Sequence, residues 1–152
     1  MSQFIIATCN LLVEHFSNIM LIEDSNGYGF NSRVFSHVLH PEEKFILEGY
    51  SVGAISGEPI RLEHLVPCKV LYNETRRLLT EGQLSKHEIA LLLQKHWRVA
   101  YITESEQEEL DNKYKLKTIM PSEWVYETDD TLARLKVAKI ELQPLPCQIP
   151  AT

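Results

Sequence analysis

Apolar residues from Phe4 to Met20 recur at helical spacing and are interrupted by Asn10, Glu14, His15 and Asn18, so this stretch predicts a buried helix. Ser, Asn and Gly between Asp24 and Ser32 predict a loop, and Arg33 to Leu39 a short helical turn. Pro41 with Glu42 and Glu43 has the chemistry of a helix first turn, where proline loses no needed N–H and acids meet the positive end of the dipole. A helix is therefore expected from there to about Val52. Gly53, Gly57 and Pro59 break the pattern before an extended piece, Ile60 to Val66, which Pro67 stops.

Beyond Pro67, Val70, Leu71, Leu78 and Leu79 carry a helix to Gly82, and Ser85 with Glu88 forms a capping box for another through Gln94 or His96. Arg98 to Ile102 alternates and is rich in strand formers, and Thr103 with Glu106 caps a helix running to about Asn112. A loop follows around Met120, Pro121 and Trp124, then a helix near Thr131 to Ala138, a short extended Ile140 to Leu142, and a loosely held tail over 143–152. The apolar faces of these elements place Phe4, Ile5, Leu12, Phe16, Phe45, Ile46, Leu71, Leu78, Leu92, Val99, Tyr101, Leu110 and Leu135 in the core. The expected fold is α+β: one mostly helical domain over 1–152, with a small antiparallel pair of strands and a helix embedded in it.

Composition narrows the function. No apolar run reaches the roughly 20 residues of a membrane span without polar interruption, and no basic segment precedes the first helix, so no membrane role and a cytoplasmic location are expected. Cys9, Cys68 and Cys147 form no Cys-x-x-Cys pair, which argues against a disulfide framework or a thiolate zinc site. The net charge of −6, from 15 basic and 21 acidic residues, means that any nucleic-acid contact must use a local basic patch. Gly27-Tyr28-Gly29 lacks the further glycine of a dinucleotide fingerprint, and no phosphate loop is present.

The chemistry concentrates in Glu63-His64-Leu65-Val66-Pro67, where a carboxylate and an imidazole stand side by side at a strand end. Adjacent strand residues point to opposite faces, so the two serve one site only if the strand ends or bends there. His37, His40, His87 and His96 are read as boundary, surface and helix C-terminal histidines, and Arg76-Arg77 as helix-surface partners of Glu81. The acidic run Glu104, Glu106, Glu108 and Glu109 is read as a solvated face.

A strand ending in Glu-His, a second strand and then a helix is also the order of parts in a ββα-metal finger, and the chain resembles the HNH endonuclease superfamily. The resemblance rests on Glu63, His64 and Pro67, and on Thr103 followed four and eight residues later by Gln107 and Asp111. Asn73 is the nearest counterpart of the family's middle asparagine. It implies a finger over 60–112 with a helical insertion, in which Glu63, Gln107 and Asp111 hold a divalent metal. Oxygen donors of this kind favour Mg. His64 would be the general base that takes a proton from water, and Arg61, Arg98 and Lys113 would hold flanking phosphates of a nucleic acid. Gln107 departs from the histidine or carboxylate that binds an ion more strongly. The later residues 116–121, Trp124 and Ala133-Arg134-Leu135 are similar to phage and bacterial proteins of unassigned role carrying the same Glu-His-x-x-Pro block. A second reading, from a different class, is a non-catalytic acidic protein on a degenerate finger that occupies a basic, nucleic-acid-binding protein partner, with Trp97, Trp124 and Tyr126 as candidate anchors.

Overall fold

Three helices wrap the larger core in a computed structural model that describes residues 3–22 and 32–144. Helix α1 (Gln3–Ile22) buries Ile5, Thr8, Cys9, Leu12, Val13 and Phe16 along one stripe. By length and composition it is apolar enough to cross a membrane, but here that stripe is part of the core. Helix α3 (Cys68–Glu81) starts directly after Pro67 and ends at Gly82, whose positive φ of 65° lets its N–H close on the Leu78 carbonyl. Helix α4 (Lys86–Lys95) opens with the Ser85–Glu88 capping box expected from the sequence. Leu71 and Leu78 from α3 and Ile89, Ala90 and Leu93 from α4 pack with the α1 stripe around Phe35, Trp97 and Tyr126.

Four strands make a mixed sheet in the order β2-β3-β1-β4: β1 (Ile46–Ser51), β2 (Ile60–His64), β3 (Arg98–Thr103) and β4 (Leu142–Gln143). β2 lies antiparallel to β3, with Ile60 opposite Thr103 and His64 opposite Val99, as expected for the two strands flanking the insertion. β1 runs parallel to β3 and antiparallel to β4. The expected helix from Pro41 to Val52 is not there: Pro41–Glu43 makes one 3-10 turn, and the chain then extends as β1 before a four-residue helix, α2 (Val52–Ile55). The cause is tertiary. The β1 backbone finds partners on both sides, and at Gly49 the absence of a side chain admits the Gln143 carbonyl, which an added Cβ would meet head on.

β3 passes straight into α5 (Glu104–Glu108) through the Thr103–Glu106 capping box, and Glu106 also accepts from the Ser51 hydroxyl at 2.6 Å. One carboxylate thus ties the end of β1 to the start of α5. The helix then widens to a π turn over Glu109–Lys113, marked by the Tyr114 N–H reaching the Glu109 carbonyl at 3.0 Å. α6 (Ala133–Ala138) returns against this turn. Leu65, Ala100, Ile102, Leu110, Leu116, Leu135, Ala138 and Ile140 form a second core beneath this side of the sheet. The fold is α+β and mostly helical, a single domain.

Several core expectations are corrected. Phe4 is exposed, because it lies off the α1 stripe, and Phe45, Ile46, Leu92 and Tyr101 are half-buried at the core margin. His96 is the C-cap of α4, as expected, but it is fully buried and not at the surface. Its Nδ1 meets the Thr131 hydroxyl at 2.9 Å and its Nε2 donates to the Tyr126 carbonyl at 2.8 Å. Arg77 does pair with Glu81, and with Glu74 and Glu127 besides. The tail from 145 on and most of the 24–32 loop lie outside the described residues.

Candidate functional site

Regular β geometry carries through the end of β2, so Glu63 and His64 diverge rather than converge. Leu62, His64, Val99 and Tyr101 line a cavity of about 420 Å³ together with Lys44 and Phe45. The His64 ring meets Phe45 edge to face at 4.5 Å, and Phe45 stacks on Trp97 at 4.6 Å with the rings 12° from parallel. The Trp97 indole N–H donates to the Lys44 carbonyl, which fixes that stack. His64 Nδ1 is buried with no hydrogen-bond partner. Burial, and secondarily the nearby Arg134 cation, lower the His64 pKa below the ordinary histidine value, so the ring is neutral at pH 7.

On the other face Glu63 meets Arg134, which α6 delivers with no exposed surface. Arg134 Nη2 lies 3.0 Å from Glu63 Oε1, and Nη1 donates to the His64 carbonyl at 2.7 Å, so one guanidinium grips both residues of the pair. Its Nε has no partner. Burial raises the Glu63 pKa, Arg134 opposes that rise, and Asp111 adds to it by charge repulsion. Asp111 stands on the π turn against which α6 packs. It is itself met by Lys117, whose Nζ is 3.7 Å from Asp111 Oδ2.

Gln107 comes one turn before Asp111 in the chain. It sits half-buried on α5 and hydrogen-bonds to neither Glu63 nor Asp111, and the widening to a π turn breaks the four-residue spacing that puts two α-helical residues on one face. The three expected phosphate contacts are all paired to carboxylates: Arg61 with Glu104 at 3.4 Å, Arg98 with Glu48, and Lys113 with Glu109 at 3.3 Å. Asn73 is an exposed residue of α3.

The donor set does not fit a divalent ion. The Glu63 carboxylate is already bound by the buried Arg134 and Asp111 is met by the exposed Lys117, while Gln107 hydrogen-bonds to neither acid. No group of three His, Cys, Asp or Glu that could hold a metal occurs among the described residues. The residue that sequence reasoning missed is Arg134. Its signal was an arginine set between Ala133 and Leu135 on the apolar side of a short helix, where an unpaired charge is untenable.

Comparison of the chain with protein-family models, with curated proteins and with solved structures finds no match.

Proposed function

We propose that this chain is a non-catalytic, acidic binding protein of the cytoplasm, built on an HNH-like ββα finger, whose partner is a basic, nucleic-acid-binding protein. The observation that carries this reading is the split of the central pair. Glu63 faces Arg134 on one side of β2, and His64 faces Phe45 and the cavity on the other. A base on one face of a strand has no reach to a water held on the opposite face, and general-base catalysis needs hydrogen-bond distance. The pairing of Arg61, Arg98 and Lys113 with acids adds to this, since a phosphate would have to displace a carboxylate at each. Glu104, Glu108 and Glu109 are exposed on α5 and the π turn, and the chain's net charge of −6 steers it toward a basic cleft.

One observation favours the alternative reading, a Mg-dependent nuclease: β2 pairs antiparallel with β3, which leads straight into α5, the order of parts of a ββα finger. One assay separates the two. Purified protein is incubated with single-stranded and double-stranded DNA and with RNA in Mg, Mn, Ni and Zn, and association with a polyarginine peptide is measured across salt concentrations. The expected result is no cleavage above buffer, identical behaviour of His64→Ala, and peptide binding that weakens steeply with salt. Metal-dependent cleavage lost in His64→Ala would overturn the proposal, and so would the absence of any salt-sensitive binding.

A further inference from the structure

We infer that the cavity on the His64 face of the sheet is a binding site for a small aromatic carboxylate, held by aromatic walls, by the His64 Nε2–H as donor and by Lys44 as counter-charge. The inference goes beyond the binding-protein reading and does not rest on it, because a small acid can fill this cavity whether or not a basic partner docks.

Three observations carry it. The first is size and lining. A volume of about 420 Å³ lies within the roughly 300–1,000 Å³ of small-molecule pockets, at the end that suits one ring or two fused ones. Phe45, His64 and Tyr101 supply aromatic wall, and Leu47, Leu62 and Val99 aliphatic wall. The aromatic wall is already ordered, since Phe45 stacks on Trp97, and Tyr101 on Tyr50 at 5.0 Å with the rings 15° from parallel. Leu62 is 53% exposed, apolar surface that a ligand in the cavity takes out of water.

The second is the imidazole. Its Nδ1 is sealed from solvent without a partner. Burial disfavours the cation, so the ring carries one proton. An orphaned buried N–H is rarer than an orphaned lone pair, which assigns that proton to Nε2. Because Nδ1 is sealed, Nε2 is the nitrogen that a molecule in the cavity meets, and an N–H there calls for an acceptor oxygen.

The third is charge. Lys44 borders the cavity half-buried, and no carboxylate among the described residues pairs with it, whereas Arg61, Arg98, Lys113 and Arg134 are each spent on an acid. Glu42, the acid at the same rim, is met by His40. The cavity thus offers one uncommitted cation and one neutral donor, and a carboxylate answers both. A phosphate, with more oxygens to satisfy, would leave acceptors unpaired against the apolar walls.

The test is a titration of the full chain at neutral pH and constant ionic strength, followed by amide chemical shifts in NMR. Three probes separate the contributions: naphthoate, naphthamide, which keeps the rings and the acceptor without the charge, and cyclohexanecarboxylate, which keeps the charge without the aromatic ring. Naphthoate should shift the Lys44, Leu62, His64 and Tyr101 amides saturably at millimolar concentration, and the other two should bind about tenfold more weakly. Lys44→Met should bring naphthoate down to the affinity of naphthamide. His64→Phe, which keeps an aromatic wall and removes the donor, should weaken both. Leu62→Trp, at an exposed position, fills the cavity and should abolish binding while the rest of the amide spectrum stays in place. Shifts that do not saturate, or that map outside the cavity, would overturn the inference. So would equal affinity for all three probes, or naphthoate binding unchanged by Lys44→Met and His64→Phe. Should His64→Phe fail to fold, Lys44→Met and Leu62→Trp decide in its place, and naphthoate binding that survives both overturns the inference.

Discussion

The two faces of β2 are less than one strand thickness apart and obey different physics. Toward α6, Glu63 and Arg134 form an ion pair at 3.0 Å in which the arginine has no contact with water. Toward the cavity, His64 is a neutral ring among aromatic ones, with a nitrogen that bonds to nothing. A charge can be buried on the first face because an opposite charge and a backbone carbonyl meet it. The same burial on the second face disfavours the charge, because no carboxylate meets the ring and the Arg134 guanidinium nearby opposes a second positive charge. Adjacent residues therefore acquire opposite roles, the pleat setting their faces and Arg134 their difference: one is a partnered carboxylate and the other a neutral packing group.

The sharpest way to break this comparison is to remove each member in turn. Glu63→Ala leaves Arg134 buried without its carboxylate and is expected to cost about 3 to 5 kcal/mol by denaturant unfolding. His64→Ala loses only aromatic contact and is expected to cost about 1 to 2 kcal/mol, the lower end of the range for truncating a core side chain. Equal costs would mean that the buried charge has no special weight.

Acid titration probes the same contrast at the histidines. His96 is buried with both ring nitrogens partnered, and burial lowers its pKa to about 4, while His64 is lowered in the same direction. In the unfolded chain both bind protons near pH 6.5, so between about 6.5 and 4 the unfolded state holds more protons and stability falls as pH drops. His96 alone should remove about 3 kcal/mol by pH 4, seen as a falling Tm that flattens in His96→Gln. Glu63, with its raised pKa, acts in the opposite direction, since its protonation favours the folded state as pH falls through that pKa. A Tm independent of pH over this window would contradict the burial of His96.

The smallest effects belong to the exposed pairs. Arg61→Ala and Lys113→Ala each break an ion pair whose members are both more than half exposed, and each should leave the denaturant midpoint close to that of the wild type, closer still in high salt. A larger loss at either position would place these cations in a buried network like that of Arg134.

Much of the helical part was legible because its signals are local. The capping boxes at Ser85 and Thr103, the stop at Pro67 and the end at Gly82 each act within one turn of chain, and all appear where the residues dictate. The antiparallel match of Ile60–His64 with Arg98–Thr103 was likewise readable, from two short runs of strand formers on either side of a helical insertion. β1 was not. Residues 45–51 carry no decisive local preference, and they are extended because β3 and β4 offer backbone partners, a fact of tertiary pairing.

For the candidate site, the sequence by itself determined which groups stand at the strand end: a carboxylate next to an imidazole, and an aspartate eight residues past a helix-capping threonine. Only the tertiary structure decided what those groups are to each other. The pleat sends Glu63 and His64 apart, and the π turn removes Gln107 from the spacing it shared with Asp111. An arginine seventy-one residues beyond Glu63 in the chain arrives to hold its charge. Side-chain type is written locally, but the partner that makes a buried charge tolerable is chosen by packing across the whole chain, and no window of sequence contains it.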